Sequence, residues 1–128
     1  MSVKVTIDGY KDVWHFTFAT GPHSKERVGG NHQTKIRTRN YETVIAAAAA
    51  DQIEGTKFQR LSGRLAVEIY FKAKRLRGDI DNYAKSLLDA LNRIVWEDDR
   101  QIDTLILHRE PCVDTPWERT DVFVYELE

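Results

Sequence analysis

Two stretches, Arg77-Gly78-Asp79-Ile80-Asp81-Asn82-Tyr83-Ala84-Lys85 and Trp96-Glu97-Asp98-Asp99-Arg100-Gln101, collect several carboxylates and one lysine on either side of an apolar run. Two carboxylates held ~4 Å apart repel by roughly 4 kcal/mol at an effective dielectric near 20, so a fold that gathers them needs protons or a cation. Oxygen-only ligands suit hard Mg²⁺ or Mn²⁺. Asp79 and Asp81 are two residues apart, which in a turn or extended backbone aims both at one cavity while Ile80 turns into the core. Lys85 stands one helical turn beyond Asp81. The third expected ligand is one aspartate of the pair Asp98 and Asp99, provided that the chain after the helix folds back toward the helix start. An ion held there can bind a phosphate oxygen, acidify a bound water and steady a leaving oxygen, the tasks of phosphodiester hydrolysis. His15, His23, His32 and His108 are scattered without zinc spacing, and there is no Walker loop, G-x-S-x-G or dinucleotide fingerprint.

Each of these residues also has a plainer use. Asp79 or Asp81 in front of an apolar-periodic run can cap a helix, worth ~1 kcal/mol. Lys85 and Asp89 can form an ordinary i,i+4 surface pair. Trp96 and Trp117 suit core or interface anchors, and Cys112 an inert thiol. A D-x-D motif also fits a nucleotide-sugar transferase or a phosphatase with an aspartyl nucleophile. The chain is short for the first, and Lys72, Lys74, Arg75 and Arg77 stand where the second needs an apolar strand end.

The elements that must position these groups follow from pattern. At 128 residues, with 41% apolar and 10% aromatic content, the chain is expected to form one domain over 1–128. Val3, Val5 and Ile7 alternate with polar residues, Asp8-Gly9 supplies a turn, and Trp14, Phe16 and Phe18 alternate again, predicting two strands. Residues 21–39 read as a glycine-rich basic loop. Asn40 is the expected N-cap of a helix through the alanines at 46–50, ended by Gly55 and packed closely on something flat. Leu65, Val67, Ile69 and Phe71 predict a strand. From Asp81 to Val95 the period becomes helical: Tyr83, Ala84, Leu87, Leu88, Leu91, Ile94 and Val95 share one arc, and Asp81, Asn82, Lys85, Asp89 and Asn92 the other. Strands are expected around Ile102–Leu107 and Val122–Leu127. The order β-β-α-β-α-β-β predicts an α/β (α+β) fold, a mixed sheet with two main helices against it.

The net charge of −1 hides a strong segregation: residues 79–128 hold thirteen acids against five bases, whereas the bases concentrate earlier. Lys25, Arg27, Lys35, Arg37 and Arg39, then Lys72, Lys74, Arg75 and Arg77, are the expected DNA-binding residues, neutralising a phosphate backbone beside the acidic cluster. Ordinary solvated surface is the alternative. A lone Cys112 and the lack of a signal-like or membrane-length apolar run lead to the expectation of a soluble, cytoplasmic protein.

Taken together, Gly78-Asp79-Ile80-Asp81-Asn82, Lys85, Leu88-Asp89-Ala90-Leu91-Asn92 and Glu97-Asp98-Asp99-Arg100-Gln101-Ile102 resemble the signature of the RusA-type Holliday-junction resolvases, over about residues 77 to 105. The resemblance implies a small homodimeric, Mg²⁺-dependent endodeoxyribonuclease, often phage or prophage encoded, that cuts four-way DNA junctions by paired nicks in recombination and repair. It implies that Asp79, Asp81 and Asp99 are essential aspartates and metal ligands, that Lys85 is the essential lysine, and that Asn82, Asp89, Asp98 and Gln101 support them. Two positions depart from the pattern. Arg93 stands where family members usually have glycine after Leu-Asn, and Gly21-Pro22-His23-Ser24-Lys25-Glu26-Arg27 is poorer in proline and arginine than the usual N-terminal loop. A homologue that binds junctions without cutting them is the alternative.

Overall fold

The computed structural model of the protein describes residues 8–24, 32–112 and 118–128. In chain order these form β1 (Tyr10–Phe18), α1 (His32–Ile53), β2 (Leu65–Ala73), α2 (Ile80–Leu91), a 3-10 turn (Asp99–Gln101), β3 (Ile102–Pro111) and β4 (Arg119–Leu127). The strand expected at Val3, Val5 and Ile7 lies outside the described residues, as do Lys25, Arg27 and Trp117. The other expected elements are present in the expected order.

The strands make one mixed sheet in the order β1-β4-β2-β3. β4 pairs antiparallel with both β1 and β2, and β2 pairs parallel with β3. A parallel pair needs a crossover, and α2 provides it between β2 and β3. As the strand period requires, Leu65, Val67, Ile69 and Phe71 of β2 join Val122 and Val124 of β4 and Phe16 and Phe18 of β1 in one core. Ile45 and Ala49 of α1 and Tyr83, Leu87, Ala90 and Leu91 of α2 close it. Trp14, half-buried, meets Phe58 edge-to-face at 4.9 Å.

Two boundaries differ from expectation. Helix α1 begins at His32, not at Asn40, so Lys35, Arg37 and Arg39 lie on a helix and not in a loop. Residues 32–39 carry no apolar period, which hid the helix from pattern analysis. They are tied down by chain from before the helix: His23 Nε2 lies 3.0 Å from Thr38 Oγ1, and its ring stacks on Tyr41 at 5.2 Å. The helix buries only the stripe Tyr41, Ile45 and Ala49 and packs mainly against α2, so most of its alanines are not buried on a flat surface. Gly55, at φ 75°, stands just past its end as expected.

Helix α2 ends at Leu91, one turn before the expected Val95. Arg93 adopts φ 70°, the left-handed region that favours glycine. The chain reverses there, with Arg93 N donating to Trp96 O at 2.7 Å. That reversal seats Trp96 fully in the core.

Candidate functional site

The acidic turn sits between the end of β2 and the start of α2. Gly78 is required by close approach: a Cβ there would fall 2.6 Å from Tyr83 Cε1 and into Ser24. Gly78 N donates to Tyr83 Oη at 2.5 Å, and Gly78 O accepts from Arg109 Nη1 at 2.8 Å. Tyr83 on α2 and Arg109 on β3 thus hold the turn from both sides. Neither was singled out as a site residue by sequence, because an aromatic in an apolar arc and a base on an edge strand carry no distinctive spacing.

Asp79 occupies the N-cap position, and its carbonyl accepts from Asn82 N and Tyr83 N at 3.1 and 3.2 Å. Its carboxylate makes no capping hydrogen bond. Capping therefore does not account for this side chain. Asp81 is exposed, its Oδ1 accepting from the amide of Asn82 at 3.0 Å. Lys85 is exposed as well, and Asp81, Lys85 and Asp89 follow one another at intervals of four along the solvent face of α2, opposite buried Tyr83, Ala84, Leu87 and Leu91.

The second acidic stretch separates its two aspartates by role. Asp98 caps the 3-10 turn: its Oδ1 accepts from Arg100 N at 2.9 Å, while Asp98 N donates to Gln101 Oε1 at 2.8 Å. Hydrogen bonds from the Arg100 backbone and side chain hold the Asp98 carboxyl below the usual range. Gln101 is buried, and its Nε2 donates to Leu61 O and Gly63 O, both at 2.9 Å, which fastens the turn to the chain ahead of β2. Asp99 is different. It accepts from Trp96 Nε1 at 2.6 Å, and burial, reinforced by the charges of Asp89 and Asp98, raises its pKa although the Trp96 bond works against that. Trp96, expected as a core or interface anchor, is thus also a positioning residue.

The structure brings Asp79, Asp81 and Lys85 to one end of α2, and places Asp99 where the charge of Asp89, two turns further along, acts on it. It does not draw Asp79, Asp81 and Asp99 into one cluster. Among the described residues, no three His, Cys, Asp or Glu side chains lie close enough to hold one metal ion together. Two aspartates on a turn do match the chemistry of Mg²⁺, which commonly takes one or two carboxylates and completes its shell with water and substrate phosphate. The donor set of Asp79 and Asp81 fits such an ion.

Of the expected DNA-binding residues, Lys35, Arg37 and Arg39 are exposed on the first turns of α1, and Lys74, Arg75 and Arg77 are exposed ahead of the acidic turn. Lys72 is a correction. It lies in the sheet, 9% exposed, with Nζ 3.2 Å from Asp121 Oδ2, and is not part of that surface.

A family model described as endodeoxyribonuclease RusA matches residues 18–124. The chain belongs to the RusA endodeoxyribonuclease family. The match reaches from the end of β1 into β4, well beyond the motif-bearing stretch from 77 to 105, so the RusA assignment covers β2, β3, most of β4 and both helices as well as the acidic turn. No curated protein matches the chain. Membership of the RusA family makes the protein a nuclease at family level, and no described helix is long and apolar enough to cross a membrane.

Proposed function

We propose that the protein is a structure-specific, Mg²⁺-dependent endodeoxyribonuclease, with Mn²⁺ as a substitute, that resolves four-way DNA junctions by paired symmetric nicks, as a homodimer in the cytoplasm. The observation that carries this reading is the Asp79 carboxylate, left free of capping work at a helix start that also presents Asp81 and Lys85. Asp79 and Asp81 would hold the ion. When bound, it would polarise a scissile phosphate and supply an activated water. Lys85, one turn above Asp81, would neutralise charge developing on the phosphate. Asp99 is the third acid of the site, oriented by Trp96, and Asp98 and Gln101 keep its turn in shape. Asn82 gives its amide to Asp81, and Asp89 continues the acidic row. Lys35, Arg37, Arg39, Lys74, Arg75 and Arg77 would meet the DNA backbone.

The test is incubation with a synthetic four-way junction. Paired nicks are expected with Mg²⁺ and none after chelation, and Asp81→Asn should lower cutting by at least about 100-fold while junction affinity is kept. Cutting that persists in chelator would sink the metal assignment. Among the described residues no three His, Cys, Asp or Glu side chains group to hold one ion, which favours one second reading, a homologue that binds junctions without turnover. Tight junction binding with no cleavage under either metal would establish it.

A further inference from the structure

The acidic turn has a cation beside it that stands outside the basic runs of the sequence. Register pairs Arg109 of β3 with Phe71 of β2, and Phe71 meets Tyr83 of α2 at 5.5 Å, so strand alternation sends Arg109 to the helix side of the sheet. Its neighbour His108 pairs with Tyr70 and stacks on it at 4.2 Å on the opposite, ring-bearing face. Arg109 is exposed, and its Nη1 donates at 2.8 Å to Gly78 O, the carbonyl that directly precedes Asp79. Other cations around the sheet are taken up by acids: Arg64 by Asp103, Arg100 by Asp98, and Lys72 and Arg119 by Asp121. Arg109 is held by a neutral carbonyl instead, and among the described residues no carboxylate pairs with it.

We propose that Arg109 is a further substrate-contacting residue of the nuclease site, a guanidinium that meets a DNA phosphate oxygen beside Asp79 and Asp81. This role rests on the nuclease function proposed above and adds a residue to it. Its physical case is a matter of charge. Two carboxylates cancel a divalent cation, so the negative charge of a phosphodiester, which grows as the phosphorus is attacked, has to be met by the chain's own bases. Lys85 supplies one such charge from α2, and Arg109 supplies a second from β3. An arginine placed to quiet the acids would close on Asp79 or Asp81, whereas this one leaves both open to an ion. The carbonyl of Gly78 fixes the guanidinium without neutralising it. That contact engages Nη1, and the other N–H groups of the fork remain for a paired phosphate contact of a kind that lysine cannot make. A plain clamp on the turn is the competing role. The two differ measurably, because a clamp adds nothing to the number of phosphates neutralised.

Binding to a synthetic four-way junction over a range of salt concentrations, in chelator so that no strand is cut, tests this on the wild type, Arg109→Gln, Arg109→Lys and Arg64→Gln, a control at the other end of β2. Arg109 is exposed on an edge strand, so its variants should fold, and thermal unfolding checks them. Arg109→Gln is expected to lower the salt slope by about one unit, while Arg109→Lys and Arg64→Gln keep the wild-type slope. With Mg²⁺ added, cutting by Arg109→Gln should fall about 100-fold. Arg109→Lys should recover part of that loss, since it returns the charge without the paired geometry. A wild-type slope or undiminished cutting in folded Arg109→Gln overturns the role and leaves Arg109 as a clamp. So does an equal fall of slope in Arg109→Lys, which would trace the change to the turn and not to charge, and so does an equal fall in Arg64→Gln. All of these leave the nuclease function standing when the wild type cuts. A wild type that neither binds nor cuts junctions sinks that function, and this role with it.

Discussion

At the scale of single residues, the site depends on what each carboxylate is already doing. Asp98 is committed to a capping box and Asp99 is not, a difference invisible in the bare pair Asp98-Asp99. Asp99 carries a cost in return. Its pKa is raised in the folded chain, so folding is favoured with the proton on: the advantage is complete below the unfolded value and is lost as pH rises through the raised one. In metal-free buffer, Asp99→Asn should therefore melt a few degrees higher than the wild type at neutral pH, and the two should converge in acid. A melting-temperature series from neutral to acid pH checks this, and a wild type that is the more stable at neutral pH would refute it. Gly78, Tyr83 and Arg109 show the complementary lesson. None of them is an expected ligand, yet the turn that presents Asp79 hangs on their contacts.

At the scale of elements, α2 was largely legible. Its apolar arc named Tyr83, Ala84, Leu87 and Leu91, all buried, and left Asp81 and Lys85 to solvent, because a helix has to hide one stripe and the residues say which. Its end was not legible. Ile94 and Val95 continue the helical period, but they reach the core through a reversal at Arg93. A non-glycine residue at φ 70° costs on the order of 1 kcal/mol. Arg93→Gly should relieve it and raise the melting temperature by roughly 4 °C, with the acidic turn unaffected. Thermal unfolding measures this directly, and a lower melting temperature would show that the arginine side chain earns its place there. The early start of α1 escaped pattern analysis for the opposite reason. Its first two turns hold no fully buried residue, and His23 folding back on Thr38 and Tyr41 marks them as part of the packed structure.

At the scale of the whole molecule, the segregated charges are also exposed ones. Exposed bases on the first turns of α1 and ahead of Asp79 sit in the same domain as the acidic turn, and Ser24 packs against Gly78, which brings the chain before α1 to that turn. Replacing Lys35, Arg37 and Arg39 with alanine should weaken junction binding and flatten its salt dependence by about one unit of slope per lost phosphate contact. Binding isotherms over a range of salt concentrations give the slope, and an unchanged slope would remove α1 from the DNA surface. Lys72 belongs to the same basic run in sequence and to a different part of the molecule in space, since strand alternation turns it onto the ring-bearing face with Asp121. By itself the sequence determined the fold class, the buried arc of α2 and the identity of the acidic motif, because periodicity and local motif chemistry are written in neighbouring residues. The tertiary structure alone decided that Asp79 does no capping, that Asp99 rather than Asp98 is held by Trp96, and that no three His, Cys, Asp or Glu side chains among the described residues group to hold one ion. Those outcomes depend on the reversal at Arg93 and on the fastening of the acidic turn by Gln101 to Leu61 and Gly63, some forty residues away, which no local pattern encodes.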